Sequence, residues 1–453
     1  MTSVVILAAG LGTRMRSTVP KVLHKICGKS MLDYTIDTAL SVSSDVHVVL
    51  FHQEQVIKEH IEQRYPLYLR DKLHFHTQMY AKYPGTGGAL IAESSEEHEQ
   101  VRLLPLQGDR VIVMSGDTPF VDVADLEVLL QSRADICVGI FETNNPYGYG
   151  RIITTNSSGN PLCIRQIIEE RDCTQEQKQV SLVNGGVYCF QKEILCKYIA
   201  SLLPNNNQSE YYLTDIIRLA ALDGVLIAGH ILESEHLLGI NSKVELAKAQ
   251  DIMLDSLRLK AMQQGVIMRM PKSIYIENDV VFEGECILEN GVCITGRSII
   301  KDSHIKAHTV IENSSIIKSD IGPNAHIRPS CMITNSHIGN FVECKNANLT
   351  GVKAGHLSYL GDCRIDEGSN IGAGVITCNY DGKKKHQTLI GKNVFVGSDC
   401  QLVAPLEIQD NVLIAAGSTV TKSAKSGSLV IARQKQTTHE NGFFRFFEQD
   451  KES

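Results

Sequence analysis

The chain has 453 residues, 43% of them hydrophobic and 21% charged, and a net charge of −7. That length exceeds one ordinary hydrophobic core, so two or three domains are expected. The acidic balance excludes a general nucleic-acid binder, and no stretch approaches the roughly 18 consecutive apolar residues of a membrane span.

The short apolar run before Arg14 and Arg16 does not read as a secretory leader. The 13 cysteines are odd in number and contain no C-x-x-C pair, which predicts reduced, mostly buried thiols in a cytoplasmic protein.

Taken in chain order, "VVILAAG", "DVHVVLF", "RVIVMSGD", "DICVGIFE" and "GGVYCF" read as buried strands. Amphipathic segments such as "SMLDYTIDTAL" and "VADLEVLLQSR" lie between them. This alternation predicts an α/β domain over 1–239, with a mainly parallel sheet covered on both faces and ligands at the carboxyl ends of its strands. Residues 240–265 change character. From Ser242 to Gln264 apolar residues recur at helical spacing without Gly or Pro, Ser242 with Glu245 has the pattern of a capping box, and Gly265 is a stop. A long linker helix is expected.

The third stretch, 266–453, has a beat of six. Ile276, Phe282, Leu288, Ile294 and Ile300 are six apart, as are Ile390, Val396, Leu402, Ile408, Ile414 and Val420. A period of six does not fit a helix of 3.6 residues per turn. It fits a coil of short strands, each sending one apolar residue to a shared axis, which is a parallel β-helix. Between about Gly339 and Thr388 the beat fails, and "NANLTGVKAGHLSYLGD" and "TCNYDGKKKHQT" read as loops extruded from the coil, where function usually sits. The terminal "NGFFRFFEQDKES" carries four Phe among polar residues, with two readings open: docking on a neighbour, or partial disorder.

Two constellations carry chemistry. In "LAAGLGTRM" Gly10 and Gly12 follow a buried strand. Met15 replaces the third glycine of a dinucleotide fingerprint, and no P-loop pattern is present. What remains is a side-chain-poor loop whose N–H groups can approach phosphates, with Arg14 and then Lys21 as cations. Asp117 ends a second buried strand and is placed to hold a divalent metal against phosphates, or else to cap a helix. "PGTGGA" is a second small-residue loop that could admit a base or sugar. In the coil, His356 lies in "VKAGHLSYLGD". A neutral imidazole in such a loop is suited to act as a general base. Glu343 lies about one coil turn upstream, close enough in a β-helix to orient the ring. The lysines at 383–385 read as a solvated loop or, less readily and only by resemblance to a known family, a contact to a coenzyme A phosphate.

"LAAGLGTRM" followed by "PKVL" resembles the signature of sugar-phosphate nucleotidyltransferases. With the hexapeptide coil, "KAGHLSYLGD" and "NIGAGVITCNYDG", the whole chain resembles the bacterial family of bifunctional N-acetylglucosamine-1-phosphate uridyltransferase/glucosamine-1-phosphate acetyltransferases. The resemblance implies a Rossmann-like N-terminal domain and a left-handed β-helix, assembled as a homotrimer with the acetyl-CoA site between neighbours. It implies acetylation of glucosamine 1-phosphate by acetyl-CoA in the C-terminal half. The N-terminal half would then transfer uridylyl from UTP to N-acetylglucosamine 1-phosphate, releasing pyrophosphate and supplying cell-envelope precursors.

By the same resemblance, Leu7, Ala8, Ala9, Gly10 and Gly12 line the nucleotide, with Arg14 and Lys21 on its phosphates. Gln78, Gly85 and Thr86 read uracil, Asp117 and Asn241 bind Mg²⁺, and Gly150, Glu169 and Asn184 hold the sugar. Gly88 stands where many members carry His. In the second half His356 is the base, while Arg328, Lys345, Tyr359 and Asn370 bind the sugar phosphate. Ala373, Asn379, Tyr380, Ser398, Ala416 and Arg433 contact acetyl-CoA. Two other readings compete: a nucleotidyltransferase whose coil only oligomerises or regulates, and a binding scaffold without catalysis.

Overall fold

The computed structural model describes residues 1–92, 101–155 and 161–448. The chain divides into two compact units, 1–251 and 252–453, with the boundary inside a long helix, Lys243–Gln263. Among the described residues no helix is long and apolar enough to cross a membrane, and none of the 13 cysteines is in a disulfide.

The first unit is built on a nine-stranded sheet. Its strands are β1 (Thr2–Leu7), β2 (Asp45–Leu50), β3 (Leu73–Thr77), β4 (Arg110–Ser115), β5 (Ile136–Glu142), β6 (Arg151–Thr154), β7 (Leu162–Ile168), β8 (Leu182–Gln191) and β9 (Ile227–Ile231). They lie in the order β6-β7-β9-β5-β8-β4-β1-β2-β3. Every residue of β2 is buried, and side chains alternate between two cores. Val5, Val49, Val111 and Val113 face one core, while Val4, Ile6, Val46, Val48, Ile112 and Met114 face the other. The sheet is therefore covered on both faces. β4-β1-β2-β3 and β5-β9 are parallel. β7 and β8 run antiparallel to every strand they pair with, so the sheet is more mixed than the buried-strand pattern indicates. Burial on both faces fixes a strand's composition but not its direction.

Helix α1 (Met31–Val42) connects β1 to β2 and begins with a capping box: Ser30 Oγ accepts from Asp33 N at 3.0 Å and Asp33 accepts from Ser30 N. The long helix starts almost as its sequence predicts. Ser242 Oγ accepts from Glu245 N at 3.2 Å, but the Glu245 carboxylate reaches back one residue further and accepts from Asn241 N at 2.7 Å. Gly265 ends it with φ +99°.

The second unit is a parallel β-helix. Strands stack in register around one apolar axis, as in Leu288↔Ile305↔Ile321↔Ile338↔Ala354↔Ile371↔Val396↔Ile414. Each of the six-spaced residues is buried on that axis except Phe282, which is only partly covered. Between Ile300 and Thr377 the inward residues come at steps of five as well as six, as in Ile300, Ile305, Ile311, Ile316 and Ile321. Corners there are turned by left-handed residues such as Asn313, Asn335, Asn346 and Asp362.

This corrects the expected extrusion over Gly339–Thr388. The chain keeps coiling through Lys353–His356 and Tyr359–Ile365, and only the segment after Cys378, up to Thr388, leaves the coil. The Phe-rich end forms a short helix, Gly442–Glu448, with Phe443, Phe444, Phe446 and Phe447 exposed. Residues 449–453 of that tail lie outside the described residues.

Candidate active sites

In the first unit a cavity of about 520 Å³ opens at the carboxyl ends of β1 and β4. Leu7 and Ser115 are register neighbours there, and Gly116 N donates to Leu7 O at 2.9 Å. The loop after β1 turns at Gly12, whose φ is +63°. A Cβ at Gly12 would sit 2.7 Å from Lys21 Cβ, closer than real side chains approach, so the glycine lets the Lys21 backbone lie against the loop.

The cations and oxygen donors of this loop converge. Arg14 Nη2 donates to Asn241 Oδ1 at 2.7 Å and Lys21 Nζ to the same oxygen at 2.6 Å. Lys21 is also ion-paired with Asp117. Ser115 Oγ donates to Asp117 Oδ1 at 2.6 Å, and Ile240 N donates to Asp117 O at 3.0 Å. Asp117 and Asn241 thus present a carboxylate and an amide oxygen to one cationic centre, at present an ammonium. That donor set is right for a hard divalent ion, so these residues fit the expected metal.

The far wall carries Gln78, Gly85, Thr86, Glu169 and Asn184. Gln78 is buried, and its Nε2 donates to Tyr83 O at 2.9 Å and Gly85 O at 3.0 Å. With its amide hydrogens so engaged, Gln78 has an acceptor to present. Glu169 Oε1 accepts from Thr214 Oγ1 at 2.8 Å, and burial raises its pKa above the ordinary carboxylate value. Gly150 does not line the cavity but backs it: its carbonyl accepts from Asn184 N at 2.9 Å, and a Cβ there would meet Ile167 Cγ2 at 2.9 Å and only touch Asn184 and Glu169. A Cβ at Gly88 would overlap the Tyr83 carbonyl, so this loop packs more tightly than a histidine at that position allows. Sequence reasoning missed Tyr80, Tyr188, Glu210 and Thr214, which also line the cavity. Nothing in their local pattern marks them.

In the second unit His356 is exposed at the end of Lys353–His356, where a coil corner begins. Backbone register carries that corner position through Ala373, Ser398, Ala416 and Ala432. The strands link Ala354↔Ile371↔Val396↔Ile414↔Val430, and on the first four rungs the next residue is small: Gly355, Gly372, Gly397 and Ala415. A Cβ at Gly372 would meet Ser398 N at 2.6 Å and one at Gly397 would meet Ala416 N at 2.5 Å. The result is a column of small residues descending from His356, one per turn at about 4.8 Å. Arg433 closes it, with Nη1 donating to Ala416 O at 2.7 Å.

Above the column the excursion after Cys378 is tied down locally. Asp381 Oδ1 accepts from Lys383 N at 2.7 Å and Lys384 N at 2.6 Å, and His386 contacts Asp381 Oδ2 at 2.7 Å. Tyr380 and Lys385 form an isolated bridge, and Asn379 Nδ2 donates to Asp362 Oδ2 at 2.5 Å. This brings Lys385 beside Lys345. The pKa of Lys345 is held below the ordinary lysine value by Lys385 and then by Arg328. Three cations drawn together on one surface make a ready anion site, and Lys385 is a member that sequence reasoning left in a solvated run. Tyr359 stands next in register to Glu343. Asn370 lies on the coil face between Lys353 and Phe395. The expected contact of Glu343 with His356 is not formed. Glu343 Oε1 accepts from Arg328 Nη1 at 2.9 Å, because Arg328 lies one rung away on the same side and offers full charge.

A cation-rich, glycine-lined cavity on an α/β sheet, joined in one chain to a hexapeptide coil bearing an exposed histidine, defines a two-domain transferase. Residues 4–185 match the MobA-like NTP transferase domain family, and residues 387–422 match the bacterial transferase hexapeptide family. Over 451 residues the chain is 54% identical to bifunctional protein GlmU of Helicobacter hepaticus, covering 99% of this chain and 98% of that one. It is 49% identical over 449 residues to the protein of the same name in Wolinella succinogenes, with 99% of each chain covered. Against that of Helicobacter pylori strain HPAG1 it is 50% identical over 447 residues, again with 99% of each covered. The chain belongs to the GlmU family.

Proposed function

We propose that this chain makes UDP-N-acetylglucosamine in two reactions, as a cytoplasmic homotrimer. The second unit acetylates glucosamine 1-phosphate with acetyl-CoA. The first transfers uridylyl from UTP to the resulting N-acetylglucosamine 1-phosphate and releases pyrophosphate. The observation that carries the first reaction is the convergence of Arg14 and Lys21 on Asp117 and Asn241 at the carboxyl ends of β1 and β4.

In uridylyl transfer a phosphate oxygen of the sugar phosphate attacks the α-phosphorus of UTP, and pyrophosphate leaves in line. Arg14 and Lys21 neutralise the triphosphate, and the Gly10–Gly12 loop admits it without side-chain obstruction. Asp117 and Asn241 would hold Mg²⁺, which when bound supplies charge neutralisation at the phosphates. Gln78, its amide hydrogens engaged, offers an acceptor to the imide N–H of uracil, beside Gly85 and Thr86. Glu169 and Asn184, backed by Gly150, face the sugar.

In acetyl transfer His356 takes the proton from the amine of glucosamine 1-phosphate as nitrogen attacks the thioester carbonyl, and the C–S bond then breaks to release coenzyme A, whose sulfur takes up a proton. Arg328, Lys345 and Lys385 hold the phosphate, with Tyr359 and Asn370 on the sugar. Glu343 keeps Arg328 in place. Ala373, Ser398 and Ala416 let the pantetheine arm lie along the coil, Asn379 and Tyr380 flank it, and Arg433 meets a coenzyme phosphate. The trimer reading is supported by an exposed apolar column on the coil, Phe395↔Leu413↔Leu429, of the kind that marks a contact surface.

Paired assays on one preparation test both roles. His356→Ala should abolish acetyl transfer and spare uridylyl transfer, and Asp117→Ala should do the reverse. Acetylation surviving His356→Ala would overturn the second mechanism. Size-exclusion chromatography with light scattering tests the trimer.

A further inference from the structure

Far from the nucleotide loop, at the β2–β3 edge of the sheet, four polar side chains crowd into an apolar setting. Asp45 and His47 lie on β2 and are 1% and 2% exposed, while His74 and His76 lie on the edge strand β3. Register places His47 opposite His74. The rings of His74 and His76 flank that of His47, with centroids 4.9 and 5.1 Å away. One hydrogen-bonded pair would satisfy a buried aspartate, yet here three imidazoles gather on one side of it.

The donor atoms converge. His47 Nε2 is 3.0 Å from Asp45 Oδ1 and His74 Nε2 is 3.4 Å from the same oxygen, and one ligand atom from each residue falls within a 4.8 Å span. Ligands bound to zinc at 2.0–2.1 Å in a tetrahedron stand about 3.3 Å apart. Both measured separations are close to that edge. The supporting contacts are also in place. Asp45 Oδ2 is engaged by Ser3 Oγ and accepts from Gln107 N at 2.9 Å, which aims Oδ1 at the histidines. His47 Nδ1 is 2.8 Å from His76 Nε2, so the second ring nitrogen is oriented by a partner, as in metal-ligating histidines generally.

We propose that Asp45, His47 and His74 form a structural site for one tetrahedral divalent transition-metal ion of the zinc class. His76 orients His47, and solvent completes the fourth position at the half-exposed His74 side. Bound there, the ion fastens edge strand β3 to β2, and β3 runs directly into Gln78 on the wall of the nucleotide cavity.

Chelator-stripped full-length protein titrated with Co²⁺ tests this. One equivalent per chain should bind with the intense visible absorption of tetrahedral cobalt, be displaced by Zn²⁺, and raise the melting temperature. His74→Ala, at a half-exposed position, should keep the parent's circular dichroism, lose the absorption and weaken Zn²⁺ binding at least tenfold. His76→Gln should weaken it by roughly 10–100-fold. His52→Ala, an exposed histidine just past β2, should leave it unchanged. A pale octahedral cobalt spectrum, or a His74→Ala protein binding as tightly as the parent, overturns the proposal.

Discussion

Lys345 lies beside Lys385, and that second ammonium, followed by Arg328, keeps the pKa of the first below the usual lysine range. Like charges are held together here by coil geometry and by the Asp381 turn. Their mutual repulsion would be relieved by a dianion, and under the proposed function glucosamine 1-phosphate would be that dianion. Lys385→Ala should raise KM for that substrate by roughly tenfold, the loss of one charge-assisted contact, and leave uridylyl transfer untouched. An unchanged KM would remove Lys385 from the phosphate site.

The loop of the first unit depends on one glycine. Gly12→Ala combines a left-handed backbone, costing about 1–2 kcal/mol, with a Cβ 2.7 Å from that of Lys21. Displacing Lys21 should lower uridylyl transfer by about 10²-fold while acetyl transfer stays at the parental rate. Steady-state assays of both reactions on the variant provide the check.

Glu169 gives a pH signature. Burial raises its folded-state pKa, so between the unfolded value near 4.5 and the higher folded value the native state binds more protons. Stability from this group is then greatest below the window and is lost as pH rises through it. Glu169→Gln should melt closer to the parent at pH 4 and increasingly above it toward pH 7. It should also raise KM for the sugar phosphate in uridylyl transfer. Parallel melting curves with a pH-independent difference would contradict the buried-acid account.

The small-residue column makes a separable prediction. Ser398→Leu adds bulk at an exposed corner without entering the core, so the coil should fold normally. It should raise KM for acetyl-CoA by tenfold or more and leave KM for glucosamine 1-phosphate within about twofold, because the column and the cation cluster are distinct surfaces. Initial-rate kinetics varying each substrate in turn separates the two constants.

Much of this was legible in the residues. The six-residue beat reads clearly where turns are uniform, at Ile276–Ile300 and Ile390–Val420. It fades between them because the inward residues there come at steps of five as well as six, as in Ile300, Ile305, Ile311, Ile316 and Ile321. Coiled chain therefore looked like extruded loop, and His356 was placed on an excursion when it sits at a coil corner. The real excursion hid its useful lysine. Lys383, Lys384 and Lys385 are alike in sequence, and only the Tyr380–Lys385 bridge selects one. Glu343 illustrates the converse. Proximity along the coil was foreseeable, but competition from Arg328 was not, since it depends on which side chain on the adjoining rung carries charge. The Gly12, Arg14 and Lys21 cluster was legible because backbone freedom and cations leave a local trace. Asn241, far along the chain, was reached only through family resemblance.

The column below His356 has one further consequence. Its length is counted in whole rungs, so the span from His356 to Arg433 is quantised at the inter-strand spacing. An evolving coil could gain or lose one complete turn without disturbing the His356 corner. If the column seats the acyl carrier's arm as proposed, the spool is a stepped gauge for it, and carriers of intermediate reach would be met by no available setting.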